Sequence, residues 1–179
     1  MQPTAVSLET VLAARDARTA RTRHLLAAFP GRSLVCLTVN TPGPVKRTPP
    51  ADRVFETGYS ALRSALAAKG ITVSHIEIRR GAAGCEAYLL AAAEPEALKR
   101  LTCALENSLP YGRLLDADVP GKDGAPLSRT ALGLPERGCL VCGRPGPTCA
   151  SRRLHPLTKV TAAFERLAAL ACPGERETP

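Results

Sequence analysis

An α+β fold, a split βαββαβ antiparallel sheet with both of its helices on one face, is predicted by three observations. Between residues 33 and 119, short β-branched apolar runs alternate with stretches of helical period in the order β-α-β-β-α-β. Pro30-Gly31, the proline-rich stretch 41–50, Gly70, Pro95 and Pro120-Gly121 punctuate those runs. A length of 179 residues with 45% hydrophobic content suits one domain around one core. Aromatics are only 3%, so that core must be built from Leu, Val, Ile and Ala. An N-terminal helix precedes the sheet, and a Cys-rich loop and a helix follow it. One domain is expected over 1–172: an α+β core at 33–119, a Gly/Pro/Cys/Arg-rich extension at 121–156 and a closing helix. The polar tail 173–179 is expected to fray.

The first helix runs from Ser7 to about Phe29. Ser7 can cap it, Glu9 suits the positive end of the dipole, and Leu8, Val11 and Leu12 fall on one face. Ser33 to Asn40 is β-branched and apolar, hence a buried strand. Residues 41–50 carry four prolines and read as a stiff loop bearing Lys46 and Arg47, because proline fits neither a helix interior nor a central strand. A helix from about Ala51 to Lys69 follows, with Phe55, Tyr59, Leu62 and Leu66 on one face and Gly70 just past its end. Ile71–Ile78 and Cys85–Ala93 read as strands joined by a turn at 79–84. Pro95 opens a helix with Leu98, Leu101 and Leu105 on one side. Arg113–Val119 reads as the last strand. The closing helix shows Leu157, Val160, Phe164 and Leu167 at helical spacing.

Charge and composition narrow the function classes. Lys and Arg number 24 against 16 Asp and Glu, a net charge of +8. Residues 129–159 carry six cations against Glu136 alone, and Arg15, Arg18, Arg21 and Lys46-Arg47 add to them, so a polyanionic partner is expected. Nucleic acid is disfavoured, because stacking aromatics and recognition motifs are both lacking. No membrane association is expected: the longest apolar stretch, Ala87 to Ala93, falls well short of the ~20 residues a spanning helix needs. The first thirty residues show no export signal, and seven cysteines without one point to a reducing cytoplasm and to metal before disulfide.

Two clusters carry chemistry. Asp116 and Asp118 lie two apart on a predicted strand, so their side chains share a face with Cα atoms roughly 6–7 Å apart. Such a pair can hold Mg²⁺ with phosphate completing its shell; an exposed acidic strand end is the plain alternative. Cys139-x2-Cys142-x6-Cys149-x5-His155 matches the Cys3His set of a structural zinc site, with three core thiols and an unrelated histidine as its alternative. His24 and His75 stand alone and read as structural or surface residues. Cys36, Cys85, Cys103 and Cys172 sit in apolar patterning and read as core, with exposure of Cys172 left open. There is no Walker A loop, dinucleotide fingerprint or nucleophile elbow.

Six stretches in order resemble one family. They are Ser7-x4-Leu12-x2-Arg15-Asp16-x-Arg18, Pro42-Gly43-Pro44-Val45-Lys46, Gly112-Arg113-Leu114-Leu115-Asp116-Ala117-Asp118-Val119, Leu127-Ser128-Arg129, Leu134-Pro135-x-Arg137-x-Cys139-Leu140-x-Cys142 and Cys149-Ala150-x-Arg152. Together, over about Ser7 to Phe164, the chain resembles the apo-citrate lyase phosphoribosyl-dephospho-CoA transferases, the holo-acyl-carrier-protein synthases of citrate lyase. The second and third stretches are the most specific.

The resemblance implies a nucleotidyltransferase reaction between triphosphoribosyl-dephospho-CoA and a serine on the acyl-carrier subunit of citrate lyase. The serine attacks the phosphorus next to the ribose, and pyrophosphate leaves. On that footing Asp116 and Asp118 are expected to hold Mg²⁺ at the α-phosphate. Lys46 and Arg129 are expected to clamp the β- and γ-phosphates, and Arg15 and Arg18 to face the donor or the carrier. Asp118 and a metal-polarised hydroxyl are the two candidates for the base. Two other readings stand beside this one: an equivalent transferase for the malonate decarboxylase carrier, and a non-enzymatic, zinc-stapled basic binding module.

Overall fold

Four strands, β1 (Ser33–Val39), β2 (Val73–Gly81), β3 (Gly84–Ala91) and β4 (Leu115–Asp118), form one antiparallel sheet in the order β2-β3-β1-β4. The strands joined by the first helical crossover, β1 and β2, are separated by β3, which is the split arrangement the element order predicts. The computed structural model describes residues 4–171, so Cys172 and the tail 173–179 lie outside the described residues.

Helices α2 (Pro49–Ala68), α3 (Pro95–Ser108) and α5 (Leu157–Ala168) pack on one face of the sheet. Val35, Leu37, Ala87, Leu89 and Ala117 point into the core from the strands, to meet Phe55, Leu62, Leu66, Leu98 and Phe164. Cys85 and Cys103 are buried on this side as expected. The N-terminal helix α1 (Leu8–Ala28) lies on the opposite face, where Leu25 joins Leu34, Cys36, Tyr88 and Leu90 in a small second cluster.

Several local expectations need correction. Pro49 and Pro50 belong to the first turn of α2: Thr48 caps it, accepting from the Ala51 N–H at 3.2 Å, and proline loses nothing where no intrahelical N–H bond is due. The helix ends as predicted, with Gly70 left-handed and the Ile71 N–H reaching back to Leu66 O at 3.0 Å. Arg79 and Arg80 do not form a turn but continue β2 opposite Glu86 and Cys85, leaving only Ala82-Ala83 as the hairpin loop. Two arginines in succession are tolerated because β2 is a solvent-facing edge strand. The apolar positions Leu8 and Leu12 are exposed, at 73% and 46%, so α1 is not held by the stripe its sequence suggests.

The last strand is also shorter than predicted, because residues 112–114 form a tight 3-10 turn. Gly112 makes this turn possible: a Cβ there would sit 2.1 Å from the Glu106 backbone oxygen. Residues 109–114 therefore turn tightly from the end of α3 into β4. The Gly112→Ala variant is expected to lose about 2–3 kcal/mol of stability in urea unfolding; a midpoint unchanged from the parent would show that the α3–β4 junction yields without cost.

Candidate functional site

The site forms around the outer edge of β4. This strand pairs with β1 on one side only, so Leu115 and Ala117 direct their outward backbone groups away from the sheet. Side chains satisfy them. Lys99 of α3, itself buried, donates through Nζ to Ala117 O at 2.9 Å, and Glu106 of α3 accepts the Ala117 N–H at 3.1 Å. Arg137 donates to Leu115 O, and the Leu127 N–H closes the row at Val119 O, 2.9 Å away. Charged groups thus occupy the place of a fifth strand.

The same local geometry presents Asp116 and Asp118 together. Ala117 points into the core, while Asp116 and Asp118, opposite Thr38 and Cys36 on β1, share the other face and are half-buried. Asp116 is paired with Arg137 at 2.9 Å. The Asp118 backbone pairs with β1, while among the described residues its side chain makes no hydrogen bond or ion pair. Burial first, and the like charge of Asp116 second, push its carboxyl above the ordinary aspartate range. A carboxylate held in this state gains from any cation placed between the pair.

The remaining cations predicted for the site are dispersed. Arg129 lines the same cleft as the carboxylates but is paired with the buried Glu106. Lys46 lines neither this cleft nor its neighbour; its Nζ donates to Thr41 O at 2.7 Å, and burial lowers its pKa. Arg18 pairs with Glu86 at 3.0 Å, and Arg21 with Glu77, docking α1 on the sheet. Arg15 is exposed on the same helix, one turn before Arg18. His24 is exposed, and His75 packs against Phe29 with ring centroids 4.9 Å apart. The Cys36 thiol is pushed up to about 12 by burial under α1, which rules it out as a nucleophile.

Two guanidinium groups absent from the predicted set converge on the carboxylates. Arg113 and Arg137 both line the cleft of about 510 Å³ that holds Asp116, Asp118 and Arg129. Arg113 Nη1 and Arg137 Nε are buried without a partner. Burial and the neighbouring Arg137 charge lower the pKa of Arg113, so an anion seated between these two side chains would satisfy both donors and relieve their repulsion. A second cleft of about 420 Å³ shares Asn40, Arg113, Gly146 and Ala150 with the first, so the two adjoin. Lys99 and Glu106 left a sequence trace, being two ionisable residues seven apart on the buried stripe of α3. Arg137 left only its place beside the first cysteine.

The cysteine cluster also assembles. One ligand atom from each of Cys139, Cys142, Cys149 and His155 lies within 4.8 Å of all the others, with the Cys142 and Cys149 sulfurs 3.6 Å apart. The Arg144 side chain and backbone pull the Cys142 thiol down to about 6, favouring the thiolate at neutral pH.

Comparison with known proteins gives a consistent result. A family model described as apo-citrate lyase phosphoribosyl-dephospho-CoA transferase matches residues 6–170. An Escherichia coli protein of that name is 39% identical over 163 residues, covering 91% of this chain and 88% of its own. A Shigella boydii protein of the same name is 39% identical over the same shares. A Streptococcus pyogenes protein named as a probable member is 35% identical over 167 residues, covering 91% of this chain and 85% of its own.

The environment of Asp118 sets a stability test. Its folded pKa is raised above the unfolded value of 3.8, so the ionised carboxylate destabilises the fold at neutral pH and its protonated form does not. In Mg²⁺-free buffer, Asp118→Asn is expected to melt above the parent at neutral pH, with the gap closing as pH falls towards 3.8. A variant melting well below the parent at neutral pH would mean that the charge is stabilising there.

Proposed function

The chain belongs to the apo-citrate lyase phosphoribosyl-dephospho-CoA transferase family, and we propose on that premise how its residues divide the reaction. The chain transfers the prosthetic group of triphosphoribosyl-dephospho-CoA to a serine of the acyl-carrier subunit of citrate lyase. The serine oxygen forms a bond to the phosphorus next to the ribose, the bond from that phosphorus to the bridging oxygen breaks, and pyrophosphate leaves with the bonding pair. The serine proton passes to a base. The cytoplasm is the proposed compartment, since clustered thiols stay reduced there.

One observation carries the assignment of residues: a half-buried carboxylate pair on one face of β4 shares a cleft with two guanidinium groups whose buried N–H donors lack partners. Asp116 and Asp118 suit a hard divalent cation, because Asp118 is short of compensation where it stands. An Mg²⁺ ion held by these two residues would supply neutralisation of phosphate charge. Arg113 and Arg137 orient the polyphosphate by donating to its oxygens, a charge-assisted contact that favours the more highly charged leaving group. Arg129, held by Glu106, adds a fixed positive charge at the rim. Lys46 and the exposed Arg15 are left for the more distant parts of the donor or for the acidic carrier, and Arg18 mainly holds α1 in place. Asp118, whose side chain makes no hydrogen bond among the described residues, would have its second oxygen left to take the serine proton.

Incubation of the chain with donor, apo-carrier and Mg²⁺ should release pyrophosphate and raise the carrier mass by one prosthetic group. Asp116→Asn and Asp118→Asn should each lower the rate by about two orders of magnitude or more. In the parent the rate should fall on acidification, since a protonated Asp118 can neither hold the cation nor accept the serine proton. Full activity in both variants would remove the carboxylates from the mechanism. Equal modification of a malonate decarboxylase carrier would move the chain to that acceptor.

A further inference from the structure

We propose that Cys139, Cys142, Cys149 and His155 bind one Zn²⁺ in a closed tetrahedral site, and that this ion fixes the arm carrying Arg137 over the carboxylates. Nothing in the transferase chemistry uses these four side chains. They come from three separate turns of an arm with little regular structure: a loop at 139–142, the six-residue helix α4 (Gly146–Ser151) and the segment beyond it. Their convergence therefore needs a cause.

The geometry fits zinc. Ligand atoms around tetrahedral Zn²⁺ stand about 3.5–3.8 Å apart for thiolate and imidazole, against a cluster in which all four lie within 4.8 Å. A contraction of about 1.3 Å or less closes the shell. The first two cysteines sit in a tight knuckle. The Cys139 N–H donates to Arg144 O at 2.6 Å, the Gly143 N–H to Cys139 O at 3.0 Å, and the Val141 N–H to the Cys139 sulfur at 3.4 Å. Gly143 is left-handed there, as the reversal requires.

The histidine supplies an independent sign. Its Nε2 is buried without a hydrogen-bond partner, a costly state for an imidazole unless something binds it. Arg153 takes a left-handed φ of 48°, uncommon for a residue with a Cβ, in the reversal that brings His155 back to the cysteines. Three thiolates and a neutral imidazole leave the site one negative charge in excess, and Arg144 stands beside Cys142 to balance it. With four protein ligands the site has no open position, so it is structural.

The coupling to the carboxylates is short. The Gly146 N–H donates to Arg137 O at 2.8 Å, and Arg113 Nε donates to Gly138 O, the residue before the first cysteine. A fixed knuckle thus holds both guanidinium groups. This part of the inference rests on the transferase reading; the binding of metal does not.

The whole chain, purified without chelator from zinc-supplemented cells, should contain about one zinc per molecule by elemental analysis. Cys142→Ser and His155→Ala should lose it, while Cys103→Ala, which alters a buried core thiol, should keep it. Reconstitution with Co²⁺ should give the strong visible bands of tetrahedral thiolate coordination, and removal of the metal should speed proteolytic cleavage within 133–156. Less than about a tenth of an equivalent in the parent, with only octahedral Co²⁺ colour, would overturn the proposal. So would zinc retained in both ligand variants, or a Cys142–Cys149 disulfide found by peptide mapping. If the ligand variants fail to fold, the metal content and Co²⁺ spectrum of the parent decide. Neither measurement involves donor or carrier, so a failure here leaves the transferase reading intact.

Discussion

The open edge of β4 is the constraint on which this site depends. A buried backbone group left without a partner costs about 1–3 kcal/mol, and β4 has several on its outer side. Among the described residues no fifth strand supplies them. The partners come instead from Lys99, Glu106 and Arg137, which concentrates charge beside a strand that already carries two aspartates. Each of these side chains is held at its tip, so the charges are fixed in place before any ligand arrives. That is the condition under which electrostatic stabilisation of a transferring phosphoryl group is most effective. The opposite edge, β2, is managed differently. Its arginines lie in solvent, where charge discourages pairing with another chain but organises no cleft.

The two faces of the sheet are held by different forces. On the α2/α3/α5 side, aliphatic burial is extensive and continuous. On the α1 side it reduces to a small cluster around Leu25, while Arg18–Glu86 and Arg21–Glu77 supply half-buried ion pairs across the interface. Each pair in isolation is worth little, but Glu86 also accepts from the Tyr88 hydroxyl at 2.6 Å, so the charges form a network. The arrangement explains why an arginine-rich helix with exposed leucines stays docked. It also shows that a basic helical face need not be a ligand-binding face: Arg18 and Arg21 are directed inward, and Arg15 remains outside.

Most of the fold was legible because its signals are local. Period and punctuation place the helices and strands, and Gly70 ends α2 where a left-handed residue is needed. The errors arose where tertiary context chose between two locally allowed states. Pro49 and Pro50 suit a loop or a first helical turn equally well, and Thr48 decided for the turn. Arg79 and Arg80 look like a loop unless the strand is known to lie at an edge. The site divides in the same way. Two aspartates with one residue between them, or three cysteines and a histidine within seventeen residues, declare their geometry through spacing alone. Arg113 and Arg137 do not, since they meet across 24 positions and converge only after α3, β4 and the arm have packed.

The arm itself sharpens the physical problem. Residues 121–156 contain one 3-10 turn and one six-residue helix, and they place few side chains in the main core. Such a segment has little burial to set against the backbone entropy of ordering it, about 1–2 kcal/mol for each residue fixed. Yet Arg137 must stay on Asp116 and on the β4 edge. Hydrogen bonds from Gly146 and Arg113 tie the arm locally, but each contributes only about 1 kcal/mol net. The proposed metal cross-link joining positions 139, 142, 149 and 155 would confine the arm at four points, on a scale larger than those bonds together. On that proposal the cysteines and the arginine belong to one device: metal affinity would be spent on order, and the order would appear as a guanidinium held over Asp116.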